Sequence, residues 1–327
     1  MGARAPPVRY AARVRILSLL PAATEIVAAL GLTDQLVGVS ADSDWPPEVA
    51  GLPVVSQALL DTAGLASGAI DAAVAASAAA HAGRSLHHVD PELLRALRPE
   101  LVLTQEVCAV CAVSTADVAA AAAPLEPAPR VLSLNASTLE QMLEDVESVG
   151  CAAGARDRAT ALVADLVERL NVVRLRAAPW ERPRVLCLEW LDPPYSAGHW
   201  VPEMVEVAGG EERVGTPGGP SRRIAWEDVV AYRPQVLVLI PCSLPLAQVA
   251  AEFDLLRARP GWAELPAVRA GRVFAGETHL FSQPGPRLVD GVETLARLLH
   301  PDVFRAPLPP GQALALSADG QRLEPFR

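Results

Sequence analysis

The sequence predicts an α/β protein of two lobes, each with a mostly parallel sheet, joined by a long backbone α-helix. Three observations carry that prediction. Short apolar runs alternate with helical patterns in both halves of the 327-residue chain, the signature of a parallel sheet with crossover helices. The alternation stops between Ser137 and Ala177, where two long helical patterns follow one another. One helix–Pro–strand unit occurs once in each half: "PELLRALRPELVL" (91–103) aligns without gaps on "WEDVVAYRPQVLV" (226–238), placing Glu92 on Glu227, Arg98 on Arg233 and Pro99 on Pro234.

The elements follow in order. Val14 to Leu19 is a continuous apolar run, as expected for a strand covered on both faces. Pro21 breaks it, and Ala23 to Leu30 reads as a helix stopped by Gly31. "QLVGVS" is the next strand, and "ADSDWPPEV" is a loop fixed by Pro46 and Pro47. An Ala-rich helical segment from Leu60 to Arg84 precedes "SLHHVD". The helix from Ala155 to Ala177 sets Leu162, Val163, Leu166, Leu170 and Val173 on one face at spacings of three and four. At 1.5 Å per residue it spans roughly 35 Å, about the width of a domain. Alternation resumes with "RPRVLCLEW". The expected organisation is an N-terminal lobe over 14–136, linking helices over 137–178, a C-terminal lobe over 179–300 and a tail over 301–327.

Composition narrows the class. Hydrophobic content of 51% with 20% charged residues describes a folded chain. A net charge of −10 argues against nucleic acid as a partner, since phosphate backbones are held by excess basic residues. All 28 basic residues are Arg, and no stretch approaches the ~20 apolar residues of a membrane span. The first apolar run is the strand itself, so the written N-terminus lacks the h-region of a secretory signal and a cytoplasmic location is expected. A start lying upstream would restore a periplasmic or extracellular one. No G-x-S-x-G, Walker loop, G-x-G-x-x-G or H-E-x-x-H is present, and no enzyme is expected.

"LEWLDPPYSAGHW" (188–200) gathers aromatic side chains in a chain with only 4% of them. With "LPAATEIVAALGL" near the start, "SDWPPEV" at 43–49 and the paired Arg-Pro units, it resembles the cobalamin-binding proteins of vitamin B12 ABC importers. In these substrate-binding proteins two lobes are joined by one backbone helix. The resemblance covers Val14 to His300. It implies a non-catalytic protein that captures a corrinoid between its lobes, needs no cofactor and delivers its ligand to an ABC permease. It assigns Trp45 and Tyr195 to opposite walls of the cleft. The loop itself is expected to present Trp190, His199 and Trp200 beside Tyr195, the alternative for Trp200 being the first anchor of a core helix that follows it. Aromatic rings give a flat macrocycle large contact at small entropy cost. It also assigns Glu92 and Glu227 to permease docking, although a Glu near a helix start is favoured by the helix dipole alone.

Other readings remain open. Haem or a siderophore is the alternative chelate, an anionic siderophore requiring cleft arginines such as Arg222, Arg223 or Arg287. Two features depart from the family: the Ala-rich segment, and Cys108-x-x-Cys111 directly after the strand Leu101 to Thr104. These thiols are candidate metal ligands with His87 and His88, with His81 also near in sequence, or a redox pair in a cytoplasmic protein. Two packed small residues are the plain alternative.

Overall fold

The computed structural model describes residues 13–80, 86–105, 113, 115–316 and, for the backbone, 323–325. The N-terminal lobe is built on β1 (Ile16–Ser18), β2 (Leu36–Ser40), β3 (Val54–Ala58), β4 (His87–Val89), β5 (Leu101–Thr104) and β6 (Arg130–Ser133), in the order β4-β3-β2-β1-β5-β6. Every pairing is parallel except β3 with β4. Its helices are α1 (Pro21–Ala29), α2 (Ser67–Ala80), α3 (Pro91–Leu97) and α4 (Thr115–Ala122). Two helices leave this lobe, α5 (Leu139–Ala152) and the 22-residue α6 (Arg156–Ala177).

The C-terminal lobe holds β7 (Val185–Trp190), β8 (Tyr195–Ser196), β9 (Gly198–His199), β10 (Thr216–Pro217), β11 (Arg222–Arg223), β12 (Val236–Leu239), β13 (Val273–Gly276), β14 (Ala313–Leu316) and β15 (Leu323–Pro325). Seven of them form a sheet in the order β11-β8-β7-β12-β13-β14-β15, and β9 pairs with β10. The central β7-β12-β13 pairs are parallel and the edges antiparallel. Around it lie α7 (Val201–Val207), α8 (Trp226–Tyr232), α9 (Leu246–Arg257), α10 (Pro266–Arg269) and α11 (Leu288–Leu299). The expected separate tail is corrected here. "ALAL" of β14 pairs antiparallel with β13, burying Ala313 and Leu316, so the C-terminal lobe extends well past His300.

The internal repeat is reproduced in three dimensions. α3 and α8 each end on an Arg in the left-handed region, Arg98 at φ 44° and Arg233 at φ 53°. The proline that follows each of them cannot continue a helix. The next strand then pairs beside a second arginine that holds the carbonyls at the helix end. Arg15 Nε donates to Leu97 O at 3.1 Å, and Arg184 Nε donates to Arg233 O at 3.2 Å. Glu100 and Gln235 occupy equivalent places, accepting from the backbone N–H of Arg15 and Arg184 respectively.

α6 is packed into both lobes. Ala159, Leu166, Leu170, Val173 and Ala177 are buried on it, in one continuous apolar cluster with Ile26 and Leu30 of α1, Met142 and Val146 of α5, Met204 of α7 and Leu295 of α11. Polar ties reinforce both ends. Arg158 Nη1 donates to Leu30 O at 2.9 Å in the N-terminal lobe. Arg169 pairs with Asp290 and Glu293 of α11 in the C-terminal lobe. A core shared between the lobes predicts one cooperative unfolding transition. Leu166→Ala should lower the stability of the whole chain by about 2–5 kcal/mol. Urea melts followed by tryptophan fluorescence and circular dichroism check this, and two separate transitions would contradict it.

Candidate functional site

The carboxyl ends of the parallel strands of both lobes lead into the loops that carry the candidate residues, the usual place for a ligand in an open α/β sheet. After β2, a chain of buried hydroxyls fixes the loop bearing Trp45. Thr24 Oγ1 donates to Ser18 Oγ at 2.8 Å and lies 3.0 Å from Ser43 Oγ, which is 2.8 Å from Ser40 Oγ. The next two residues, Asp44 and Trp45, reach the other lobe. The Arg287 guanidinium stacks over the Trp45 ring at 4.9 Å, and Asp44 Oδ2 lies 3.4 Å from His279 Nε2. Trp45 remains 45% exposed.

Beneath Trp45 lies a charged contact between the lobes. Arg287 Nε donates to Glu25 Oε1 at 2.9 Å, and its Nη2 donates to the same oxygen. Glu25 sits on α1, is 4% exposed, and its Oε2 is buried with no hydrogen-bond partner. Gly285 leaves room for this carboxyl, since a Cβ at that position would stand 2.6 Å from Glu25 Oε2 and push it aside. Burial holds the Glu25 carboxyl up to about 7, against the opposing pull of Arg287.

The second aromatic group, on the C-terminal lobe, is engaged by a helix of the N-terminal lobe. Tyr195 OH donates to Asp71 Oδ1 at 3.0 Å, Trp190 Nε1 donates to Ser67 O at 3.2 Å, and Arg223 pairs with Asp71 at 2.7 Å. Asp71 and Ser67 belong to α2, the Ala-rich segment, which leaves the N-terminal sheet after β3 and returns at β4. Among the described residues no hydrogen bond or ring contact joins Trp45 to Tyr195. Each meets a group of the opposite lobe instead.

Trp200 is corrected from cleft wall to core. It is 7% exposed within the shared apolar cluster and donates Nε1–H to Phe281 O at 2.6 Å. His199 is half-buried beside it: its ring stacks on Trp200 at 5.4 Å, and its backbone N–H donates to Gly219 O. Burial lowers the His199 pKa. Glu189 braces the same turn, accepting from Gly198 N at 2.8 Å and from Ser221 Oγ.

Glu92 and Glu227 are exposed in the first turns of α3 and α8, one on each lobe. His87 and His88 are consecutive in β4, so their side chains leave opposite faces of the sheet and do not converge. His87 Nε2 lies 3.5 Å from Asp42. Cys108, Cys111 and His81 lie outside the described residues. Among the described residues no three His, Cys, Asp or Glu side chains are grouped to hold a metal ion. A cavity of about 520 Å³ lies among Glu140, Glu203, Glu206, Glu211 and Glu212, where α5, α7 and the 211–218 loop meet. None of the cleft loops lines it.

Sequence reasoning missed Glu25, Asp44, His279 and Asp71. Asp44 lies in a loop whose prolines drew the attention, Glu25 and Asp71 lie in ordinary-looking helical stretches, and His279 sits in a short turn after β13. Their partners are more than 50 residues away along the chain. Arg287, by contrast, was a candidate cleft arginine and does face the other lobe.

Comparison with known proteins bears on the family and the fold. Residues 16–279 match the family model described as periplasmic binding protein. The chain belongs to that family. Its members are non-catalytic solute-binding proteins. The chain is 27% identical over 299 residues to an uncharacterized ABC transporter substrate-binding lipoprotein, YvrC, of Bacillus subtilis, covering 89% of this chain and 81% of the relative. It is 25% identical over 300 residues to the vitamin B12-binding protein of Vibrio cholerae, covering 87% and 88%. The fold is similar to that of a periplasmic heme-binding protein from Pseudomonas aeruginosa, with TM-score 0.66 at 25% identity, covering 89% of this chain and 94% of that one.

The Glu25 site has a consequence for stability. A carboxyl whose pKa is raised on folding contributes stability that is fully present below about 4.5 and is lost as pH rises through about 7. Glu25→Gln is therefore expected to flatten the fall in unfolding free energy across that window by up to about 3 kcal/mol. Urea melts at a series of pH values measure it, and an unchanged slope would show that Glu25 ionises as freely as in the unfolded chain.

Proposed function

We propose that this protein is the substrate-binding component of an ABC importer for a metal chelate, and that the chelate is a corrinoid such as cobalamin. The observation that carries the choice is the pairing of two of the three candidate cleft arginines with carboxyl groups of the protein. Arg287 is paired with Glu25, and Arg223 with Asp71. Among the described residues, these guanidiniums are matched by carboxylates within the protein. A dianionic haem or an anionic siderophore needs unmatched cations to offset its loss of water. A corrin bearing neutral amide arms does not, and it presents apolar faces to rings such as Trp45. The vitamin B12-binding relative supports the same reading, whereas the heme-binding structural neighbour supports haem as the alternative chelate.

Capture then proceeds without chemistry on the ligand. The macrocycle lies against Trp45 and the stacked Arg287, with its amide arms toward Asp44, His279 and the polar rim. The lobes turn little, because α6 is buried in both. Exposed Glu92 and Glu227, held apart by the same strut, are proposed contacts for the permease. The periplasmic family and the lipoprotein relative support work outside the cytoplasmic membrane, in place of the cytoplasmic location expected from the written N-terminus. Among the described residues no helix is long and apolar enough to cross a membrane.

Titration with cyanocobalamin and separately with haemin, by calorimetry and absorbance, tests the proposal. Cyanocobalamin should bind with micromolar or tighter affinity, about −8 kcal/mol or better, and more tightly than haemin. Trp45→Ala should weaken it at least tenfold. Tighter haemin binding would move the assignment to haem, and binding of neither would end the chelate reading.

A further inference from the structure

α2 is an arm of the N-terminal lobe that rests on the C-terminal one. β3 and β4 are antiparallel neighbours, with Ala58 opposite His87, so a short turn would suffice to join them. The chain instead leaves β3, runs through Gly64 and α2, and only then returns to β4. Contacts from its first two turns and the residues just before them hold α2 across the cleft. Ser67 N donates to both oxygens of Glu252, at 3.2 and 3.0 Å, and Gln248 Nε2 donates to Leu65 O at 2.9 Å. Ser67 O accepts from Trp190, and Asp71 engages both Tyr195 and Arg223. Ile70, like Trp190, packs against the apolar cluster that includes Leu188 and Leu191. Within α2 only Ser67 is fully buried.

Two physical facts suit such an arm to movement. Alanine has the highest helix propensity, so an Ala-rich rod needs less packing than other sequences to stay helical when detached. Gly64, at φ +74° with nothing within 4 Å of where a Cβ would be, gives a pivot just before the latch.

We propose that α2 is a hinged bar that occupies the C-terminal half of the ligand site when no chelate is bound. It uses the polar tips of Tyr195 and Trp190, and it swings aside as an intact helix to admit the ligand. The inference rests on the cleft being the ligand site, and it adds an internal competitor to it. Opening exchanges Asp71 for the ligand at Tyr195, and Arg223, whose side chain is already 59% exposed, is then held by water instead of by Asp71. Entry rather than affinity alone is therefore under the bar's control.

The test compares the wild-type chain with Asp71→Ala and with the double variant Asp71→Ala, Glu252→Ala, using the milder Asp71→Asn as a control for folding. Nitration of Tyr195 by tetranitromethane in ligand-free protein, mapped by mass spectrometry, reads the cover itself. It should rise at least fivefold in the unlatched variants while the urea midpoint stays close to that of Asp71→Asn. Stopped-flow mixing with cyanocobalamin reads entry, and the association rate should rise at least fivefold. Unchanged nitration overturns the bar, and so does faster nitration with an unchanged association rate. If cyanocobalamin binds to no variant and not to the wild type, the corrinoid reading fails, and the nitration result alone decides whether α2 covers Tyr195.

Discussion

The one constraint on which the rest depends is the apolar core that α6 shares with both lobes. Most two-lobed α/β proteins could keep two separate cores and a flexible link. Here Leu166, Leu170 and Val173 lie in the same cluster as Ile26 of one lobe and Met204 and Leu295 of the other. Rotating the lobes far apart would expose apolar surface at a cost of about 25 cal/mol per Å². The polar ties of Arg158 and Arg169 would break as well. The cleft is thus held at a nearly fixed width, and ligand access must be arranged by something smaller than a lobe.

That fixed width explains the character of the contacts between the cleft walls. Long, flexible pairs are of little value where two walls move freely, because ordering them costs side-chain entropy. Where the walls are fixed, Glu25 and Arg287 meet in a buried contact, and Trp45 stacks on the guanidinium that Glu25 orients. Removing Glu25 would leave a cation beneath the ring, and removing Arg287 would leave a buried carboxyl with no partner. The aromatic wall and the ion pair therefore act as one unit. It presents a flat, electrically balanced surface in a chain whose net charge is −10.

Much of the frame was legible in the sequence. The interruption of strand–helix alternation after Ser137 marked the strut, and the matched Arg-Pro units marked the repeat, down to equivalent left-handed residues at Arg98 and Arg233. Periodicity and prolines are local signals, and these features are local. The site was less legible because its contacts are not. Asp71 looks like one acid in an Ala-rich helix until that helix is seen to cross to Tyr195, 124 residues on. Trp200 was misread because "GHW" continues an aromatic-rich loop, while its position at the start of α7 turns the ring into the core. The tail was misread because a strand of four small and apolar residues carries no signal of its own until β13 offers it a partner.

The most direct measurement of the account is a crystal structure of the chain with cyanocobalamin. The account predicts a macrocycle against Trp45 and Arg287 between lobes that have turned by only a few degrees, with Glu25 still on Arg287. A ligand bound away from Trp45, for instance in the carboxylate-lined cavity around Glu203 and Glu211, or lobes swung apart about a broken α6, would contradict it.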